Sequence, residues 1–163
     1  MRQWSAPGVA CRTQTATRTS MIHLEVLTAE SRVVSTDVDS VVATTLDGQV
    51  GILHGHVPLV TVLQPGELVL RTGEQEAYLV VSGGFLQVTP QGIIVLADAC
   101  EYAEEIDVER AEEAKRRAEQ LLAAGAPETD AATAEAALHR SIARLRVADK
   151  YRVRTRRRVL PAP

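Results

Sequence analysis

The chain has 163 residues, of which 45% are hydrophobic and 24% charged, a balance that excludes a disordered or low-complexity protein. Aromatic residues make up only 3%, so the core must be aliphatic and a base-stacking platform for nucleic acid is disfavoured. Charge is split along the chain: residues 21–109 carry 14 acidic and 2 basic side chains, whereas residues 110–163 carry 13 basic and 7 acidic. We therefore expect the second segment to seek an anionic surface.

Residues 1–20 contain three arginines, no acidic residue and no apolar stretch of the kind a secretory signal needs. This composition fits an organelle transit peptide, and it also fits an upstream extension left by a misassigned start codon, which is the interpretation we favour. In both cases we expect a disordered segment outside the fold, with Met21 opening the patterned part. The two cysteines, Cys11 and Cys100, match no metal or redox spacing, which favours a reducing compartment.

From residue 22 to about residue 96, short apolar runs alternate with turn signals such as Asp47-Gly48, Pro65-Gly66 and Gly83-Gly84. Many strands at this spacing, with no helix between them, predict an antiparallel β-sandwich or barrel over residues 21–105 and exclude parallel βαβ units. The predicted strands are Ile22–Leu27, Val38–Thr45, Leu59–Leu63, Leu68–Arg71, Ala77–Val81, Phe85–Val88 and Ile93–Leu96.

The period changes after residue 100, and residues 106–150 predict an antiparallel two-helix hairpin. Asp107 is a good N-cap for a first helix over 108–124, which Gly125 and Pro127 end. Thr129 or Asp130 caps a second helix that runs to about Lys150, followed by a basic tail over 151–163. The predicted inner stripes are Ala111, Ala114, Ala118, Leu121 and Leu122 on the first helix, and Ala134, Leu138, Ile142 and Leu145 on the second. Because alanine buries little apolar area, the hairpin should be weakly held.

No phosphate-binding loop, His-Glu-x-x-His, Cys-x-x-Cys or Gly-x-Ser-x-Gly motif occurs in the sequence. His54 and His56 would lie on one face of a strand, but no third ligand accompanies them, so we expect a turn rather than a metal site. Glu104 and Glu105 precede a helix, where adjacent acids ordinarily favour its N-terminus. We expect neither a catalytic centre nor a catalytic cofactor.

Four segments resemble, in order and spacing, those of the epsilon subunit of bacterial F-type ATP synthases. They begin at Gly48 (GQVGILHGHVPL), Ser82 (SGGFLQV), Ile106 (IDVERA) and Arg144 (RLRVA). The resemblance covers about residues 21–150 and implies an α+β protein, with a β-sandwich followed by an αα-hairpin.

The resemblance implies a non-catalytic subunit of the central rotor stalk, bound to the gamma subunit and touching the membrane ring of c subunits. Such a subunit couples proton flow to ATP synthesis, and its hairpin inhibits ATP hydrolysis. For this inhibition, we expect the basic segment to contact the acidic loops of the catalytic beta subunits. Its place would be peripheral on the cytoplasmic side of the cell membrane, attached through the complex only.

Two sets of site residues follow from the resemblance. Some members of the family bind ATP on the folded hairpin as a regulatory ligand, and the matching positions are Glu101, Asp107, Arg110, Ala111, Arg117, Arg140 and Arg144. Converging arginines suit a triphosphate, although the same residues also fit a surface laced with salt bridges. The loop that would meet the rotor ring matches at His56 and Pro58, whereas Gln49 stands where many relatives have an acid.

Two other classes of function stay open at this point. A nucleic-acid-binding module could use the basic tail of Arg152, Arg154, Arg156, Arg157 and Arg158, but the acidic first segment would repel phosphate. A small enzyme with an unrecognised site is the other alternative. We expect no nucleic-acid partner.

Overall fold

The computed structural model describes residues 21–125 and 127–159, so the expected disorder of residues 1–20 lies outside the described part. Nine strands precede two helices, as the sequence predicts in outline. The strands are β1 (Ile22–Leu27), β2 (Arg32–Val38), β3 (Ser40–Thr45), β4 (Gly48–Leu53), β5 (Leu59–Thr72), β6 (Gln75–Val81), β7 (Gly84–Thr89), β8 (Gly92–Ala97) and β9 (Cys100–Tyr102). The helices are α1 (Val108–Ala123) and α2 (Glu128–Val159). The predicted fold class is confirmed.

The strands are hydrogen-bonded in the order β2-β1-β8-β7-β5-β3-β4, with β6 and β9 added beyond the second half of β5. β5 reaches both parts of this arrangement because its first half pairs with β7 and its second half with β6. The sequence predicted two strands here, broken at Pro65-Gly66, and that break is wrong. Gly66 does make a close approach, since a Cβ at this position would lie 2.6 Å from the Cβ of Thr44.

One pairing departs from the predicted antiparallel scheme. β1 runs parallel to β8, with Leu24 opposite Ile93 and Leu27 opposite Leu96, whereas the other pairings of the described strands are antiparallel. The connection between these two strands is made of other strands and contains no helix, so the exclusion of βαβ units holds, whereas the antiparallel prediction is wrong for this one pair. β2, β4 and β9 were also absent from the predicted strands.

The sandwich encloses an aliphatic interior to which eight of its strands contribute. Leu24, Ile52, Leu68, Leu79 and Leu86 have no exposed surface at all. Because no aromatic ring belongs to this buried set, the predicted aliphatic core is confirmed.

The two helices are confirmed, with three corrections. Asp107 caps α1, its Oδ1 accepting from the backbone N–H of Arg110 at 3.0 Å, and Gly125 ends it with a φ of +68°. On α1 the predicted inner stripe is wrong in part, because Ala111 and Ala118 are buried but Ala114 and Leu121 are exposed. α2 begins at Glu128, ahead of the predicted caps Thr129 and Asp130, and it does not end near Lys150 but continues to Val159.

Candidate functional site

The surface between α2 and the sandwich is where the two parts of the chain meet. In the ladder between β5 and β6, Glu67 lies opposite Val80, Val69 opposite Tyr78 and Arg71 opposite Glu76. Since side chains alternate along a strand, these residues share the face that does not point into the sandwich interior. On this face the apolar members are buried under α2, in a cluster of Val69, Tyr78, Val80, Ala103, Ile106, Ala143, Val147 and Ala148.

Acidic residues of the sandwich surround this apolar contact and pair with basic residues of α2. The Arg144 guanidinium donates to Oε1 of Glu101 from Nε at 3.1 Å and from Nη2 at 2.5 Å. Lys150 Nζ donates to both oxygens of Glu67, at 2.7 and 2.6 Å. The charge asymmetry along the sequence thus has a structural role, because acidic side chains of the sandwich pair with basic side chains of α2 within one molecule.

The last described turns of α2 contact β6 and the loop after β9. Arg154 donates from Nη1 to the Glu76 carboxylate and to the Tyr78 hydroxyl, and its Cζ lies 5.4 Å from the Tyr78 ring centroid. The Tyr78 hydroxyl itself donates to Glu76, and Tyr151 donates to Oε2 of Glu104 at 3.1 Å. Each of the donors Arg154, Tyr78 and Tyr151 therefore has a hydrogen-bond acceptor on the sandwich or in the loop after β9.

The network shifts the ionisation of its members. The hydrogen bond from Tyr78, together with the charge and hydrogen bond of Arg154, lowers the pKa of Glu76 to about 2 against the opposing effect of burial. Burial, and then the hydrogen bond to Glu76, raises the pKa of Tyr78 to about 12. The pKa of Arg154 is raised, chiefly by its hydrogen bond to Glu76. At neutral pH the carboxylate and guanidinium are therefore charged and the phenol is neutral.

The positions predicted for ATP binding are only partly brought together. Glu101 and Arg144 are in direct contact with each other, as described above. Asp107 caps α1, Ala111 is buried, and Arg110 is exposed one residue before Ala111.

The other two predicted arginines have different surroundings. The Arg117 side chain is 78% exposed, and its Nη2 lies 3.7 Å from Oε2 of Glu113. With Leu121 it lines an apolar groove away from the start of α1. Arg140 is half-buried, one helical turn before Arg144. Arg117 lies seven residues after Arg110, about 10 Å farther along the axis of α1, so it is displaced from the start of that helix, where Asp107 and Arg110 lie.

The predicted rotor-ring residues do not form one patch either. Gln49 lies at the start of β4 and donates from Nε2 to Oε1 of Glu67 at 2.8 Å, so it belongs to the α2 contact. His56 and Pro58 follow the other end of β4, in the loop before β5, where Nδ1 of His56 lies 2.7 Å from the carbonyl oxygen of Val57. This loop and the turn after β7 line the same surface cleft.

A row of exposed apolar side chains crosses three neighbouring strands on the outside of the sandwich. Val62 lies opposite Phe85, and Phe85 lies opposite Leu96. Their exposed fractions are 43%, 56% and 51%, which is unusual for adjacent large apolar residues. Val60, on β5, is 70% exposed and extends the same face.

Two kinds of feature, a metal-binding cluster and a membrane-spanning helix, are absent from the described residues. No group of three or more His, Cys, Asp or Glu side chains within residues 21–125 and 127–159 is placed to hold a metal ion. Neither described helix is long and apolar enough to cross a membrane.

Glu67 and Glu76, two of the acidic residues that pair with α2, were missed from the sequence, although patterns in the sequence indicated the covered strands that carry them and the longer α2. The runs Leu68–Leu70 and Tyr78–Val81 are continuously apolar, which indicates strands covered on both faces. On α2, Val147, Lys150, Tyr151 and Arg154 recur at spacings of three and four, so they continue one helical stripe past the predicted end.

Comparison with known proteins gives one consistent family. Residues 21–103 match the family model described as the beta-sandwich domain of the ATP synthase delta/epsilon chain, and residues 104–149 match its long alpha-helix domain. Relatives named ATP synthase epsilon chain include one from Dehalococcoides mccartyi, 51% identical over 80% of this chain and 94% of its own. Another, from Chloroflexus aggregans, is 46% identical over 83% of this chain and 97% of its own. A chain of the Euglena gracilis mitochondrial ATP synthase (OSCP/F1/c-ring) has the same fold, with a TM-score of 0.67, 23% identity and coverage of 85% and 86%.

Proposed function

Because the chain belongs to the ATP synthase delta/epsilon family as an epsilon chain, a non-catalytic subunit of the central stalk, we propose that it couples proton flow to ATP synthesis and restrains ATP hydrolysis through its α1–α2 hairpin. Its place is in a membrane-associated complex, and we propose the cytoplasmic side of the cell membrane. The proposed restraint of ATP hydrolysis is supported by one observation: the hairpin is separate from the interior of the sandwich.

The hairpin contacts the sandwich through its own cluster of buried residues, distinct from the aliphatic interior. Of the three α2 residues in this cluster, Ala143, Val147 and Ala148, two are alanines, and small side chains bury little area. Ion pairs with Glu67, Glu76 and Glu101 complete the contact. An interface of this kind can open without unfolding the sandwich, as a movable inhibitory element requires.

Once released, the basic face of α2 would be free for another acidic surface. Arg144, Lys150 and Arg154 are neutralised by the sandwich in the docked state. We propose that the acidic loops of the catalytic beta subunits take these charges when the hairpin extends, because the same arginines and lysine then lack partners.

Truncating the chain after Ile106 tests the restraint. The assembled complex should hydrolyse ATP faster than wild type, because the whole inhibitory element is gone while the sandwich keeps its interior. Assembly, measured by recovery of the subunits after gel filtration, should be unchanged. Equal hydrolysis in an assembled truncated complex would refute the restraint.

The gamma subunit is the proposed occupant of the exposed apolar row Val62, Phe85 and Leu96. A contiguous apolar row on a folded surface favours a stable protein contact, and a stalk subunit needs one. Phe85→Glu should abolish co-purification with gamma, because a carboxylate would be buried without a partner. Gln75→Glu, which adds the same charge at the exposed β5–β6 turn, is the matched control and should leave binding intact.

We propose that the loop carrying His56 and Pro58 meets the ring of c subunits, and that Gln49 does not. The support is position: the loop is exposed at one end of β4, whereas Gln49 is engaged with Glu67 beside α2. Cysteine cross-linking to the ring from position 57, but not from position 49, is the expected result. Cross-linking from both positions would contradict the division.

We also propose ATP as a regulatory ligand of the docked hairpin, with Glu101, Asp107, Arg110, Ala111, Arg140 and Arg144 at the site and Arg117 outside its centre. Binding must exchange the Glu101–Arg144 pair for contacts to phosphate, which lowers the affinity by the strength of that pair. Arg110→Ala should weaken ATP binding at least about tenfold in calorimetric titration, and Arg116→Ala, an exposed arginine on the same helix, should not. Equal heats for wild type and Arg110→Ala would refute the site.

A further inference from the structure

We propose that the C-terminal extension of α2 acts as an ionic clasp, defined as Lys150, Tyr151 and Arg154, that sets how readily the hairpin leaves the sandwich. The extension lies past residue 149, where the match to the family's helical domain ends, yet α2 continues without a break to Val159. Its regulatory consequence rests on the proposed function, but the clasp itself is a property of the isolated chain.

The three clasp residues each reach a different part of the sandwich. Lys150 binds Glu67 on β5, Tyr151 binds Glu104 after β9, and Arg154 binds Glu76 on β6. Two of the acceptors are well shielded from water, since the Glu67 and Glu76 side chains are 13% and 25% exposed. Three attachments to separate elements resist both rotation and sliding of the helix, which one ion pair cannot do.

Arg154 is the residue on which the clasp depends most. It donates to a carboxylate and a phenol at once and lies against the Tyr78 ring, which also meets the Tyr151 ring edge-on at 6.5 Å. Glu76 is held in place from the other side by Arg71, whose Nε lies 2.9 Å from Oε1. A preorganised acceptor and a planar donor lose little conformational freedom on pairing, so this contact is stronger than an ordinary surface pair.

The chain offers a matched control within the same helix. Arg152 carries the same charge two residues earlier, but it is exposed and has no hydrogen bond or ion pair to any described residue. Arg152→Gln and Arg154→Gln therefore change the net charge and the helix propensity equally. Only the second removes a contact with the sandwich.

Amide hydrogen exchange of the full-length chain tests the clasp. In Arg154→Gln, exchange of the amides from residue 139 to residue 155 should be about five- to tenfold faster than in wild type, because a charge-assisted contact is lost from the docked state. Exchange in β7 and β8 should not change. In wild type, raising the salt from about 0.05 M to about 0.5 M should also speed α2 exchange, and the effect should be smaller in an Arg154→Gln, Lys150→Gln double variant. Equal exchange in Arg152→Gln and Arg154→Gln would overturn the clasp.

Hydrolysis by the assembled complex then tests its role. If the clasp holds the hairpin in the docked, non-inhibitory state, Arg154→Gln should hydrolyse ATP more slowly than wild type and Arg152→Gln should not. Faster exchange with unchanged hydrolysis would overturn the regulatory role. If truncation after Ile106 fails to raise hydrolysis, the proposed restraint has failed instead, while the exchange result still decides whether the clasp exists.

Discussion

Val147 lies where the docking of α2 can be weakened without touching the interior of the sandwich. Its side chain is 3% exposed and belongs to the cluster that joins α2 to β5 and β6. Val147→Ala removes two methyl groups' worth of buried surface and leaves a small cavity, at a cost of about 2 kcal/mol. Because the loss falls on the docked state of the hairpin, exchange of the α2 amides should become about thirtyfold faster.

Val81→Ala makes the same chemical change in the other cluster, since Val81 has no exposed surface and faces the sandwich interior. Its cost should appear as a lower midpoint of urea unfolding, followed by circular dichroism, and in faster exchange of the slowest strand amides. Val147→Ala should leave those strand amides unchanged. If both variants change the exchange rates of the same amides to the same degree, the hairpin and the sandwich unfold as one unit and the reasoning is refuted.

Three further outcomes follow from particular residues. The pKa of Glu76 is lowered to about 2, so its stabilising effect is complete above its ordinary value of 4.5 and is lost as pH falls toward 2; Glu76→Gln should flatten that part of a stability profile measured by urea unfolding. Burial raises the pKa of Cys100 to about 12, so in a Cys11→Ser chain the remaining thiol should react at pH 8 at least about tenfold more slowly when folded than in urea. Gly84→Ala should destabilise by at least about 2 kcal/mol in the same unfolding assay, because φ is +121° and a Cβ would lie 2.0 Å from a carbonyl oxygen of β8; Gly51→Ala, with open space around its Cβ, should cost less.

Alternation and turn residues were enough to predict most of the sandwich, and they failed where two ladders share one strand. Pro65 suggested a break because it cannot donate to a ladder. In β5, however, pairing with β7 ends at Leu63, pairing with β6 begins at Gly66, and the ladder with β3 is irregular between Leu63 and Leu68. Pro65 therefore has no partner in any of the three ladders, and no ladder hydrogen bond is lost. β2 was missed because only two of its residues, Val34 and Val38, are buried.

The end of α2 shows why the candidate site was harder to predict than the fold. A run of arginines after Lys150 has the composition of a solvated tail, and helix propensity alone does not distinguish a tail from a continuing helix. What orders Tyr151 and Arg154 is contact with Glu104 and Glu76, which are far away in sequence. Pairing of this kind depends on the three-dimensional placement of β6 and β9, and no local pattern encodes it.

The same limit applies to the residues carried over from the family. The sequence identified Glu101 and Arg144 as members of one site, but not that they would neutralise each other. It also grouped Gln49 with His56, although β4 separates them and Gln49 is used beside Lys150. A sequence motif shows which residues belong to a site, whereas the packed structure determines which residue each charged side chain pairs with.

The parallel pairing of β1 with β8 has a consequence for the order in which parts of the fold form during synthesis. β1 is the first of the described strands to leave the ribosome, but its neighbour β8 follows only after six other described strands have been synthesised. Contacts between segments so distant in sequence form slowly, and the sandwich closes as a unit once residue 97 is available. The hairpin is synthesised last and meets a finished acidic surface, so α2 acquires its partners only after the sandwich has reached its final shape.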